Sequence, residues 1–213
     1  MNQFATPAPI AAVLTVPAGR VQFIAAERAD TVVEVRPVQP GSDRDERSAA
    51  ETTVAFADGV LRIEAPSDDK AGSVEVTVQL PAGSRVEGHS AAAELRGVGR
   101  LGEVAFEGAY RNIKLDEAAS LRLTAVDGDV SVGRLTGPAE ISTARGAIRI
   151  DEATRGTVIL TTQDGDITVG AKAGTLDAGT SFGRVSNSLK NDGTAELTIR
   201  ATTARGDITA RGL

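Results

Sequence analysis

Five short glycine-centred motifs recur in the second half of this 213-residue chain, and they restrict its folding more than any other feature. They are Asp127-Gly128-Asp129-Val130, Arg145-Gly146-Ala147-Ile148, Asp164-Gly165-Asp166-Ile167, Phe182-Gly183-Arg184-Val185 and Arg205-Gly206-Asp207-Ile208. Their glycines are 18, 19, 18 and 23 residues apart, and two earlier units fit the same frame with Arg111 and Ala93 at the glycine position. The flanks keep register. Seven residues before the anchor stand Val86, Val104, Leu121, Ala139, Val158, Leu176 and Ile199, and two after it Leu95, Ile113, Val130, Ile148, Ile167, Val185 and Ile208. Three before it stand only small residues: Ser90, Gly108, Ala125, Thr143, Thr162, Thr180 and Thr203. Each unit reads as strand, tight turn, strand, with alternate side chains on one face.

A unit this short cannot bury its apolar face alone, so it must stack on the next. The expected product is an all-β β-solenoid, resembling a parallel β-helix with about 18 residues per coil. Equivalent residues then sit roughly 4.8 Å apart along the axis, and glycine at the anchor suits a corner that needs positive φ. Composition agrees: 41% of residues are apolar but only 3% aromatic, so Val, Ile, Leu, Ala and Thr must build the core.

The repeat region spans 84–213, and residues 1–83 read as a strand-rich N-terminal cap segment continuous with the same core. Alternation predicts short strands around Leu14, Val21-x-Phe23, Val32–Val35, Val54-x-Phe56, Leu61-x-Ile63 and Val74–Leu80, with glycine turns near Gly19 and Gly59. The run Ser42–Glu51 breaks this pattern. Ser42 as N-cap and acidic residues in the first turn predict one short helix, with a solvated loop as the alternative. At the far end, the long spacing carrying Asn187–Gly193 and the terminal Arg211-Gly212-Leu213 are candidates for blunting an open strand edge.

Composition excludes several functions. With no cysteine, the chain has no disulfide, thiol nucleophile or Cys-ligated metal, and His89 is its single histidine. A net charge of −6 argues against nucleic acid or an anionic membrane as partner. No Gly-x-Ser-x-Gly elbow, phosphate loop or dinucleotide motif appears, so no cofactor is expected. No window is apolar enough to span a membrane. The opening Met1–Pro7 lacks the basic and apolar stretches of an export signal, so a cytoplasmic location is expected, or an extracellular one if a leader was removed.

Candidate functional residues lie beside the anchor. The column before it holds Tyr110, Asp127, Arg145, Asp164, Phe182 and Arg205; the column after it holds Asn112, Asp129, Ala147, Asp166, Arg184 and Asp207. Stacked in chain order, Asp127, Arg145 and Asp164 alternate in sign, while Ala147 and Arg184 separate Asp129, Asp166 and Asp207. One reading is a charge ladder that stabilises coil register and needs no ligand. Another is a polar ridge that binds a ligand, with Tyr110 and Phe182 as stacking platforms at its ends. The four carboxylates Asp127, Asp129, Asp164 and Asp166 have the oxygens a hard cation wants, but the intervening Arg145 opposes one, and no metal is expected. His89 should lie beside Glu107 on the next coil, either as a solvated pair or as a general base oriented by Glu107.

The repeated Gly-Asp-Ile/Val turns, Pro81-Ala82-Gly83 and the segment Val32-Val33-Glu34-Val35-Arg36-Pro37 resemble the bacterial putative-adhesin family of β-strand repeat proteins, a domain of unknown function. The resemblance covers nearly the whole chain and implies a repetitive β fold with an adhesive or scaffolding role. The expected function is a non-catalytic scaffold presenting an extended surface to a protein or glycan partner, or associating with itself by stacking of solenoid ends. The alternative is a small β-helical enzyme acting on a carbohydrate or natural product through the Asp/Arg ridge.

Overall fold

The computed structural model describes residues 1–191, 193 and 196–213. The elements run β1 (Asn2–Ala5), β2 (Ala11–Thr15), β3 (Ala18–Ala26), β4 (Asp30–Pro37), α1 (Asp43–Glu51), β5 (Thr53–Ala57), β6 (Val60–Glu64), β7 (Val74–Pro81), β8 (Arg85–His89) and β9 (Ala92–Ala109). They continue through β10 (Ile113–Asp127), β11 (Val130–Leu135), β12 (Ala139–Arg145), β13 (Ile148–Ala153), β14 (Gly156–Asp164), β15 (Ile167–Ala171), β16 (Thr175–Phe182), β17 (Val185–Asn187), β18 (Leu197–Arg205) and β19 (Ile208–Gly212). Ser42 caps α1 by accepting a hydrogen bond from the Asp45 amide, so the helical reading of that segment holds.

The chain is a β-solenoid-like stack in which each coil lays one strand on each of two walls. Leu123 pairs with Ile141, and Ile141 with Leu160. On the facing wall Leu95, Ile113, Val130, Ile148 and Ile167 form one continuous column. Strands β9 and β10 pass from one wall to the other without interruption. Coil-to-coil pairing is parallel throughout. Among the described residues, antiparallel pairs occur only at the N-terminal end, where β4 lies on β7, β1 on β4 and β5 on β6.

Spatial order departs from chain order at both ends. The first coil, β2 and β3, is inserted between the β6–β7 coil and the β8–β9 coil. The last coil, β18 and β19, is inserted between β14–β15 and β16–β17, so the penultimate coil forms the C-terminal edge. This corrects the expectation that the terminal Arg211-Gly212-Leu213 blunts the edge, because β19 belongs to the inserted coil, with Gly212 paired to Ala171. In the segment Asn187–Gly193, Asp192 lies outside the described residues.

The corner explains the glycines. A Cβ on Gly165 would stand 2.1 Å from the Gly146 carbonyl oxygen of the neighbouring coil, and its φ of +154° is unfavourable for other residues. Gly128, Gly146 and Gly206 share positive φ, whereas Gly183, Arg111 and Ala93 make the turn without it. At Gly183 the close approach alone excludes a side chain, since a Cβ would lie 1.9 Å from the Gly206 oxygen.

The column of small residues has a polar function. The buried hydroxyls of Thr162 and Thr203 donate to the Gly146 and Gly165 carbonyls at 3.2 and 3.1 Å, and Thr180 donates to Gly206 at 3.0 Å. A buried carbonyl at a turn needs a donor, and threonine supplies one while its methyl packs in the core.

Candidate functional site

Inserting the last coil changes both corner columns. Before the anchor the spatial order is Asp127, Arg145, Asp164, Arg205, Phe182, so charge alternates for one step more than chain order predicts. Arg145 meets Asp127 at 2.9 Å and Arg205 meets Asp164 at 3.5 Å. These pairs are largely exposed, which limits each to about 0–1 kcal/mol. Phe182, 73% exposed, stands opposite Arg205 at the C-terminal edge, and Tyr110, 54% exposed, lies at the other end of the ridge.

After the anchor the expected separation of Asp166 from Asp207 is overturned: the two stand on adjacent coils. Their repulsion is offset by a backbone bond. Asp166 Oδ1 accepts from the Asp207 amide at 2.7 Å, and Asp207 Oδ1 accepts from the Arg184 amide at 2.8 Å. Toward the N-terminus, Asn112 Oδ1 accepts from the Asp129 amide at 3.1 Å and Asp129 Oδ1 from the Ala147 amide at 2.8 Å. Four side chains thus bind the corner amide of the next coil. Their oxygens follow the axis and do not converge on a point, and among the described residues no group of three or more acidic or histidine side chains is placed to hold a metal ion.

The same column extends to residues that sequence reasoning missed. Arg20 sits between Glu75 at 3.2 Å and Glu94 at 3.5 Å, and its hydrogen bond to Glu75 raises the guanidinium pKa still further. The signal available was Gly19, whose turn matches the corner pattern; Glu75 lies on the next coil in chain order, but Glu94 comes from a coil that chain order does not make adjacent. His89 does lie beside Glu107, with Nδ1 3.3 Å from the carboxylate. Both side chains are more than half exposed, on the outer face of the wall with Arg85, Glu87, Glu103 and Arg122 around them.

The glycine column breaks at Ala93 and Arg111, and beside Arg111 the surface carries a shallow, open depression. Tyr110, Arg111, Asn112, Glu94 and Asp127 line an open groove of about 420 Å³. A second groove of about 360 Å³, lined by Arg20, Val38, Ser73 and Glu75, shares Glu94 and Arg111 with it. Tyr110, Asp127 and Arg111 therefore share one surface, while Asp164 and Asp166 lie two coils beyond Asp127 and Phe182 four.

Comparison with known proteins agrees with this architecture. Residues 13–212 match the family model described as Toastrack DUF4097. Among solved structures, a putative adhesin from Bacteroides fragilis NCTC 9343 superposes with a TM-score of 0.53 at 16% identity, covering 99% of this chain and 95% of that one. A putative lipid binding protein from Parabacteroides distasonis ATCC 8503 gives 0.52 at 11% identity, covering 99% and 96%. At these identities the likeness is one of fold. Comparison with curated proteins gives no match.

Proposed function

Starting from the fact that the chain belongs to the Toastrack DUF4097 family, we propose that it is a non-catalytic scaffold whose outer surface engages a protein or glycan partner. One observation carries this reading: the carboxylates an enzyme would need are already bonded to the amide or guanidinium groups of neighbouring coils, spread along the axis. Acid/base work on a glycosidic bond needs two carboxyl groups facing one substrate atom across a short gap, with one of them kept protonated. The ridge provides a ladder instead.

The preferred contact is the groove at Arg111. An exposed tyrosine ring beside planar amide, carboxylate and guanidinium groups suits the face and hydroxyls of a sugar ring, or a polar peptide loop. The test is binding of the intact protein to an immobilised glycan array and to candidate protein partners, with Tyr110→Ala and Arg111→Ala beside the parent. Loss of a bound signal in both variants with thermal stability retained is the expected result. Turnover of a glycan that disappears in Asp127→Ala and Asp164→Ala would overturn it.

A further inference from the structure

The two ends of the solenoid are finished differently. At the N-terminal end the inward side chains of the last parallel coil, Leu61, Ile63, Val76 and Val78, are all fully buried. The antiparallel strands β1, β4 and β5 and helix α1 close over them, with the Phe4 and Phe56 rings 5.4 Å apart. At the C-terminal end the same columns are cut open. Val185 is 47% exposed where its neighbour Ile208 is 1% exposed, and Leu176 and Ala178 are half-buried where Ile199 and Ala201 are buried.

Strand β16 is also an edge. Its described pairing is with β18 alone, which leaves the other side of an eight-residue strand with a row of backbone donors and acceptors. Proteins commonly blunt such edges with lysine, proline or a bulge. Thr175-Leu176-Asp177-Ala178-Gly179-Thr180-Ser181-Phe182 has none of these, and its single charge is Asp177.

We propose that this end is a homodimer interface, in which β16 pairs antiparallel with β16 of a second copy about a two-fold axis at Ala178. Three observations select a second copy as the occupant. The strand is self-complementary in that register: Asp177 faces Gly179, Thr175 faces Ser181, Leu176 faces Thr180, and no like charges oppose. The two-fold sets the half-buried Ala178 of one copy against Ala178 of the other, so the open end of that apolar column is covered by its equivalent. A head-to-tail stack lacks a matching surface, because the opposite end is capped by antiparallel strands and a helix. A two-fold contact closes on itself, so the assembly stops at a dimer and does not extend into a fibre. This surface is separate from the Arg111 groove, and either proposal survives failure of the other.

Sedimentation equilibrium of the intact chain tests it. The parent should be a dimer, and Val185→Lys should weaken association by at least about tenfold while circular dichroism shows an unchanged fold. Ala55→Lys, on the exposed face of β5 at the capped end, should leave the dimer intact. Because the chain has no other cysteine, Ala178→Cys should cross-link to its symmetry mate on oxidation, whereas Ala55→Cys should not. A monomer at concentrations up to about 100 μM, a dimer that persists in Val185→Lys, or a dimer in which Ala178→Cys fails to cross-link overturns the proposal.

Discussion

Among single side chains, the buried corner hydroxyls have a clear energetic consequence. Thr162 is 2% exposed and donates to the Gly146 carbonyl of the neighbouring coil. Thr162→Val keeps the shape and removes the donor, so it should cost about 1–3 kcal/mol in urea unfolding, and Thr162→Ser should recover most of that loss. Gly165→Ala should cost more, since its Cβ meets backbone and not a movable side chain. That the column three before the anchor is small was readable in the sequence; that Thr162, Thr180 and Thr203 bond a neighbouring corner was not, because the acceptor belongs to another coil. A titrating residue offers a different check. Arg28 donates to Asp30 at 2.9 Å and holds its carboxyl below the usual carboxylate range, with Gln3 adding a second donor. A folded pKa below the unfolded one gives stability that is present above the ordinary value, about 4, and is lost as pH falls through the folded value. The advantage of the parent over Asp30→Asn should therefore shrink as the pH is lowered below about 4, measured by thermal unfolding across that window.

At the scale of the element, position in the stack decides what an inward-facing aliphatic side chain contributes. Ile141 is covered by Leu123 on one side and Leu160 on the other, so Ile141→Ala should cost about 2–5 kcal/mol. Leu176 fills the column seven before the anchor at the open end and is only half-buried, and Leu176→Ala should cost well under half as much in the same denaturation assay. Helix α1 was legible from Ser42 and the acidic first turn, but its attachment was not. Asp45 Oδ1 accepts from the Ser73 amide at 2.9 Å and Ser48 Oγ from the Gly72 amide at 2.7 Å, while Arg44 and Arg47 donate to carbonyls at Lys70 and Ala71. The helix thereby ties down the loop before β7. No local pattern announces such bonds, because each joins segments more than twenty residues apart.

For the whole molecule, insertion of both terminal coils is the controlling feature. Removing 197–213 takes away the coil on which β16 and β17 rest, so two coils are lost and not one. The truncated chain should show a lower Tm and a broad, less cooperative melt, whereas simple fraying of an outer coil would leave the transition sharp. The periodic columns were written in the sequence: alternation gave the strands, the recurring corner gave the coil, and the equivalence of Leu123, Ile141 and Leu160 followed from stacking. Coil order was not. Every coil offers its neighbour nearly the same row of Val, Ile, Leu and Ala, so pairing in chain order and pairing with one coil displaced bury almost the same apolar surface, and periodicity cannot choose between them. The corner charges do not choose either, since displacement sets Arg205 against Asp164 but also brings Asp207 beside Asp166, which chain order would separate by Arg184. Chain composition and spacing determined the repeating coil; tertiary contacts between sequence-distant, interchangeable coils decided which of them lies inside and which is left at the edge.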